Sequence, residues 1–399
     1  MNLIPFKYLN RKRIITLIAI LTITSTLFSV TAYSFLGFYN GFTNYVGEDK
    51  DIISVYSQKG STPFTGIVSV NIADMVAAQR GVIATSPEVI APCTINNQSI
   101  FIRGIIPNAI TNLNDLPMRE GQSINLNDTN SCIVGSNLAN KLQLKSGDTI
   151  LAIGVLSNRY VELQVKGIFN SNTALNDEAL VPLYLGQWLR GLNYNSATLI
   201  RVKIDPSQIN ANQIYMQITN KTTPINPTNT TTPPPNSQTQ RELEVLIPLV
   251  QANINVGTIS VAQSQQFMQS YLSRYGISKD TLIVLSIVVL VFASATAISA
   301  ITLFVKQHSS DIDTIRSIGV STKKLKADII AKITVCALIA TFLGTMLSAG
   351  FISVFQTLGY MEVLSHTIAF QIDPIIIIAN FLLLTAFISI KIVGMDLKQ

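Results

Sequence analysis

The sequence predicts a membrane protein of α+β class: four transmembrane helices, with a large mixed α+β extracytoplasmic domain between the first and second. Three observations predict it. Charged residues fill only 13% of the 399 positions, about half the share of an ordinary soluble protein, and mean hydropathy is +0.39. The apolar surplus is gathered near the N-terminus and in the last third of the chain. The net charge of +6 is gathered too: residues 40–280 hold sixteen Lys or Arg and sixteen Asp or Glu, so the surplus bases flank the apolar runs. Such a distribution reports membrane topology. It does not describe a nucleic-acid-binding surface.

The first span is residues 14–39, preceded by a cytoplasmic N-terminus, 1–13, that carries Lys7, Arg11, Lys12 and Arg13 without an acid. A secretory signal has an apolar region of roughly 7–15 residues, and this run is longer, so it predicts a retained signal-anchor helix. The second, third and fourth spans are 281–305, 333–355 and 375–390. Each is near the ~20 residues that cross a hydrocarbon core. Between the second and third lies a basic loop, 306–332; between the third and fourth lies 356–374, with Glu362 and Asp373 but no Lys or Arg. The tail, 391–399, is basic again. Positive-inside bias therefore places both termini and 306–332 in the cytoplasm, and 40–280 outside. No span contains Asp, Glu, Lys, Arg or His, and Asn380 is their one amide. Ion-coupled carriers and proton relays keep ionisable groups at membrane depth, so this composition argues against a secondary transporter or channel. Small residues recur four apart at Ala293/Ala297, Ala295/Ser299 and Ala340/Gly344/Ser348. Such rows admit close helix packing, within one bundle or across a dimer seam.

In the outer domain, Val68–Gln79 predicts a short helix and Gly81–Ile90 a β-branched run. Ser99–Ile106, Thr149–Val155, Tyr160–Phe169 and Thr198–Ile204 predict strands by alternation and β-branching. Ser136 is a candidate N-cap for a helix over Asn137–Leu144, and Ser146-Gly147-Asp148 a turn. Residues 221–240, KTTPINPTNTTTPPPNSQTQ, have almost no apolar content and predict a flexible insertion. Ser264–Arg274 predicts a helix running through Gly276 into the second span as a stiff link.

Catalytic constellations are absent from the sequence. His308 and His366 fall on opposite sides of the predicted membrane, HExxH and GxSxG do not occur, and no Gly precedes Lys as a P-loop requires. Carboxylates such as Asp177-Glu178 are expected to be surface charge, and Trp188 a packed or interface aromatic. Cys93 and Cys132 share the outer domain, where a disulfide between them is an open alternative to two free thiols; Cys336 lies in an apolar run. The chain is expected to be a non-catalytic subunit that binds no cofactor or metal itself.

The most specific segment is Asp311–Lys326, DIDTIRSIGVSTKKLK. Ile312, Ile315 and Ile318 at three-residue steps predict a short helix with an apolar face. Gly319 suits a left-handed helix terminus, and Ser321 a cap for the next helix. This face would lie on lipid headgroups or dock a protein.

Here the sequence resembles a known family. IRSIGVSTKKL is similar to the cytoplasmic R-x-I-G-A-S signature of ABC-transporter permeases of the MacB/FtsX/LolC type. SCIVGSNLANKLQLKSGDTILAIG, VELQVKGIF, FIRGIIPNAI and MREGQSI resemble segments of that family's extracytoplasmic domain, and the four-span layout is the same. Asp311 and Asp313 stand where the family often has Glu. The resemblance implies a plasma-membrane permease that dimerises, with itself or a paralogous permease, and docks a separate cytoplasmic ABC ATPase carrying ATP and Mg. Carried over by position, Ile312, Ile315, Arg316, Ile318, Gly319, Val320, Ser321, Lys323 and Lys324 would form the ATPase-coupling element. ATP-driven motion would pass through it to the outer domain, which an extracytoplasmic protein or lipid could engage. The implied function is export or extraction by mechanotransmission. An FtsX-like regulator of an extracellular hydrolase shares every one of these features. A membrane-anchored envelope-binding protein without an ATPase would not need the coupling signature.

Overall fold

A computed structural model describes residues 11–47, 49–60, 62, 64–222, 259–368 and 372–394. The chain divides into two units, one of residues 1–40, 276–363 and 367–399, the other of residues 41–275 and 364–366.

In the first unit the four apolar runs become helices long and apolar enough to cross a membrane. They are α1 (Arg11–Thr43), α8 (Lys279–Gln307), α10 (Thr322–Thr357) and α11 (Pro374–Gly394). A short helix, α9 (Ser309–Ser317), precedes α10. Lys7, Asp396 and Lys398 lie outside the described residues. At 36 residues, α10 is about 54 Å long, far more than a ~30 Å hydrocarbon core requires. The expected loop 306–332 is thus mostly helix. Its Asp328 and Lys332 form a buried i,i+4 ion pair on α10.

The buried positions of α10 follow helical spacing: Leu325, Ile329, Ile333, Cys336, Ala337, Ala340, Gly344, Ser348 and Ile352. Those from Leu325 to Ala340 pack with Leu17 and Leu21 of α1, Ala297, Ala300 and Ile301 of α8, and Ile388 and Ile392 of α11. Two of the three small-residue rows, Ala293/Ala297 and Ala340/Gly344/Ser348, therefore face inward, while Ala295 and Ser299 face outward. Small side chains let backbones approach where lipid offers no hydrophobic drive between helices. At Gly344 the approach is closest, for a β-carbon would stand 3.0 Å from the Thr26 backbone nitrogen and closer still to Ser25. Asn380 Nδ2 donates to Ser25 Oγ at 2.8 Å and Ser29 Oγ at 3.2 Å beside this crossing. Gly344→Val should separate α1 from α10 and cost about 1–3 kcal/mol. Thermal unfolding of the detergent-solubilised chain should shift down accordingly; an unchanged transition would refute the close approach.

The second unit opens with β1 (Ile52–Ser57), β2 (Val68–Ser69), α2 (Asn71–Ala77), β3 (Val82–Ile95), β4 (Gln98–Ile105), α3 (Pro107–Leu113), β5 (Met118–Gly121) and β6 (Ser131–Gly135). After these come α4 (Ser136–Leu142), β7 (Thr149–Gly154), β8 (Tyr160–Phe169), a 3-10 turn (Ala174–Asp177), β9 (Ala179–Pro182) and α5 (Leu183–Arg190). The remainder is β10 (Ser196–Ala197), β11 (Leu199–Ile204), α6 (Ala211–Thr222), β12 (Ile259–Gln263) and α7 (Ser264–Arg274). Lys221 and Thr222 close α6; residues 223–240 of the expected insertion lie outside the described residues.

The main sheet runs β12-β1-β11-β3-β4-β9-β6-β8-β5, with β7 pairing both β3 and β8. Among the described residues, β4–β9 and β6–β8 pair parallel and the other pairings of this sheet are antiparallel. The long β3 joins two halves: Val82–Glu88 pairs with β11, and Val89–Ile95 with β4. It continues past Ile90, where the β-branched run predicted from sequence ends, to Ile95. Pro87 and Pro92 sit where β3 has a strand partner on one edge only, so the missing N–H leaves no orphan. One core gathers β3, β4, β6–β9, α4 and α5 around Ile102, Val134, Leu163 and Val165; another gathers β1, β11, α2 and α6 around Val55, Ile72, Ile200 and Ile214.

Two local expectations are corrected. Gly135, not Ser136, holds the N-cap position of α4, and the Ser136 hydroxyl instead donates to Asn170 and Asn176 at 3.0 Å. No continuous helix joins Ser264 to the second span, because α7 ends at Arg274 and Ser278 caps α8 afresh, accepting from Thr281 N at 3.1 Å.

Candidate functional site

The coupling segment is built by two successive helix termini. His308 closes α8, its Nδ1 donating to the Phe304 carbonyl at 2.9 Å, and α9 starts at the next residue. Arg13 donates to the Gln307 carbonyl at 2.5 Å, a cation on the electronegative end of α8. In the same way Lys326 donates to the Val393 carbonyl at 2.8 Å near the end of α11.

Within the segment the nine residues separate into two groups. Ile312, 4% exposed, belongs to the bundle core, and Ile315 packs against the same core. Ile318, expected on the same apolar face, is 77% exposed. The reason is that α9 ends at Ser317, with Ile318 at its C-cap, so the three-residue step no longer continues. Gly319 follows with φ +95°, its N–H donating to the Arg316 carbonyl at 2.9 Å. Arg316 and Val320 are half-buried; Ser321, Lys323 and Lys324 are exposed. Ser321 occupies the N-cap position of α10, but its side chain makes no capping bond there. What the molecule presents is therefore an isolated isoleucine on a tight bend, followed by two lysines, with Ile312 and Ile315 anchoring it from beneath.

A second constellation, in the other unit, was not anticipated. Arg103 of β4 is fully buried and bridges two buried carboxylates. Its Nε and Nη2 donate to Glu178 at 2.6 and 2.9 Å, and its Nη1 donates to Glu88 of β3 at 2.6 Å. Arg201 of β11 donates Nε to the other Glu88 oxygen at 2.7 Å, Nη2 to Asn114 at 2.8 Å, and Nη1 to the Val46 carbonyl at 3.2 Å. Glu178 also accepts from the Tyr45 hydroxyl at 2.5 Å, and His366 Nε2 stands 3.1 Å from it. Burial alone would raise the Glu178 carboxyl; the charge and hydrogen bonds of Arg103, then those of His366, hold it well below the usual carboxylate range. Burial and the Glu178 charge push the Tyr45 phenol well above its ordinary value.

Glu178 is thus a core residue and not the surface charge expected of it. The legible signal was in the strands: a lone arginine in IFIRGI and another in LIRVKI sit inside apolar runs buried on both faces, where a charge requires a partner. Cys93 and Cys132 are both free and lie in one core, where burial pushes each thiol up to about 12. No disulfide joins them here. Trp188 donates Nε1 to the Tyr160 carbonyl at 3.2 Å, with the Arg159 guanidinium 4.4 Å from its ring. Among the described residues no group of His, Cys, Asp and Glu is arranged to hold a metal ion.

Residues 16–226 match the family model of the MacB-like periplasmic core domain, and residues 283–396 that of the FtsX-like permease C-terminal region. The chain belongs to the MacB/FtsX-type ABC permeases. No curated protein matches the permease by sequence. Among solved structures it is similar to the periplasmic region of MacB from Actinobacillus actinomycetemcomitans, at 11% identity and TM-score 0.34, over 55% of this chain and 92% of that one. It is also similar to the extracellular domain of the noncanonic ABC-type transporter YknZ from Gram-positive bacteria, at 16% identity and TM-score 0.32, over 42% and 88%. A permease-protein domain from Porphyromonas gingivalis follows at 13% identity and TM-score 0.32, over 54% and 90%. The assignment rests on the family models, and as a permease of this class the chain is a transmembrane ABC-transporter subunit.

Proposed function

We propose that this permease works by mechanotransmission. A separate cytoplasmic ATPase, carrying ATP and Mg, docks on the bend at Ile318–Lys324, and its closure moves α9, the membrane helices and finally the outer unit. The positive-inside pattern supports the reading that this bend and both termini face the cytoplasm; in this proposal the protein sits in the plasma membrane as one half of a homodimer or of a pair with a paralogous permease. The observation that carries the reading is Ile318. A 77%-exposed isoleucine on a rigid two-helix bend is what a docking groove takes up, while Ile312 and Ile315 transmit displacement into the bundle core.

The test is a detergent pull-down of the tagged permease from its own membranes, with identification of the cytoplasmic proteins recovered. A P-loop ATPase should co-purify. Burying one isoleucine contributes about 1.5–3 kcal/mol, so Ile318→Asp should lower its recovery at least tenfold without changing the permease's yield. Ile315→Asp would instead disturb the bundle itself. Undiminished ATPase recovery with Ile318→Asp would remove the docking role. Absence of any ATPase, with an envelope partner still held by the outer unit, would favour the reading as a membrane-anchored envelope-binding protein.

A further inference from the structure

A hydroxyl inside a membrane helix has two ways to be satisfied: a carbonyl of its own helix, or a partner across the interface. On α1, Thr16, Thr24, Thr26 and Thr31 take the first, each donating to the carbonyl four residues back at 2.8–3.0 Å. On α10, Thr345 does the same, to the Thr341 carbonyl at 2.8 Å. Thr22 of α1 and Thr341 of α10 do not. They are 8% and 3% exposed, and among the described residues neither hydroxyl has a hydrogen-bond partner. A third buried atom in the same state is Asn380 Oδ1 of α11. Turning that amide over would trade an orphaned oxygen for an orphaned nitrogen, so one end of Asn380 needs a partner in either orientation.

The three atoms belong to one crossing. Asn380 Nδ2 reaches Ser25 and Ser29 of α1, and the Gly344 backbone of α10 abuts Ser25. Thr22 precedes Ser25 by three residues and Thr341 precedes Gly344 by three, one turn along the same helix faces. As the first and third of four successive spans, α1 and α10 run the same way, so both threonines lie on the same side of the Ser25–Gly344 contact. Leaving such groups unpaired in an apolar interior is costly. The spans carry no ionisable side chain at this depth, so the crossing suits a neutral ligand. Water fits: it offers two hydrogens and two lone pairs, and a buried water makes about three hydrogen bonds. The threonine hydroxyls can donate to it or accept from it, and the carboxamide oxygen accepts.

We propose that the α1–α10–α11 crossing is a water-binding site, in which enclosed water bridges the Thr22 and Thr341 hydroxyls and the Asn380 carboxamide oxygen. Leu21 and Ala337, beside the two threonines in sequence and on the turn before, are fully buried, so this water is enclosed and is not part of a channel. A bridging water keeps its bonds while the groups it joins move by a fraction of an ångström, as a direct side-chain bond does not. The crossing therefore gives α1 and α10 a seam along which they can shift without leaving polar groups bare. The inference stands apart from the ATPase reading, since no step of it involves the cytoplasmic bend.

Water-edited solid-state NMR of the full-length permease in lipid bilayers, labelled at threonine and asparagine, reads the site directly. Magnetisation from water should reach Thr22, Thr341 and the Asn380 side chain nearly as early as it reaches exposed Thr314 of α9. Buried Thr345, satisfied within its own helix, should lag behind them. Thr22 and Thr341 lagging together with Thr345 would overturn the site on the wild type alone, whether or not any variant folds. In Thr341→Val the early transfer at Thr22 should be lost, and the unfolding temperature should fall by about 2–4 °C, the worth of one buried hydrogen bond. Early transfer at Thr22 that survives this change would overturn the shared bridge. An unchanged or higher unfolding temperature would do the same, because a dry, unpartnered hydroxyl is relieved by its removal.

Discussion

Arg103→Ala is expected to destabilise the permease by about 3–5 kcal/mol, the cost of leaving buried carboxylates without their partner. The guanidinium makes three charge-assisted bonds, to Glu178 and Glu88, with no exposed surface. Removing it leaves Glu88 with Arg201 alone, and Glu178 with no guanidinium, only Tyr45 and His366 beside it. For a unit of this size the loss corresponds to roughly 6–20 °C in unfolding temperature, measurable by following tryptic susceptibility of residues 41–275 in the heated, detergent-solubilised chain. Arg103→Lys should recover only a small part, because an ammonium does not span the forked geometry that reaches both carboxylates. If Arg103→Ala unfolds with the wild type, the node carries no stability and its bonds are incidental.

Gly319→Val should uncouple the permease while leaving it assembled. At φ +95° a β-branched residue is strongly disfavoured, yet a β-carbon there would meet no atom within 4 Å. The substitution therefore acts through the backbone alone. It should rotate the chain out of the bend and change the angle at which α9 meets α10. Gly319→Asn is the control, since asparagine visits left-handed conformations most readily after glycine. The readout is the ATP-dependent change in tryptic susceptibility of the outer unit in the co-purified assembly. It should be reduced at least tenfold in Gly319→Val and largely kept in Gly319→Asn, with the ATPase still hydrolysing ATP in both. A normal ATP response in Gly319→Val would show that the bend transmits nothing.

The spans, the α+β class and the segment around Gly319 were legible in the sequence because each depends on local chemistry. A run of apolar residues makes a membrane helix whatever its neighbours do, and a glycine after a short helix signals a left-handed terminus. Helix periodicity placed Ile312, Ile315 and Ile318 on one face. It failed at Ile318 because a period holds only while the helix lasts, and α9 stops one residue earlier.

The buried node was not legible in the same way, although each of its members was in plain view. Tyr45, Glu88, Arg103, Glu178, Arg201 and His366 come from separate elements of the chain, and Glu178 and His366 alone are 188 residues apart. Nothing local distinguishes a carboxylate that will meet two guanidiniums from one that will meet water. The membrane character, the four helices and the family's cytoplasmic signature were thus determined by the sequence itself, through periodicity and composition acting over one helix at a time. The pairing of Arg103 with Glu88 and Glu178, the capture of His366 by Glu178 and the exposure of Ile318 were decided only when strand register and helix ends brought distant groups together. Partnership between buried charges is a property of three-dimensional proximity, and the cost of burying a charge alone makes that proximity decisive.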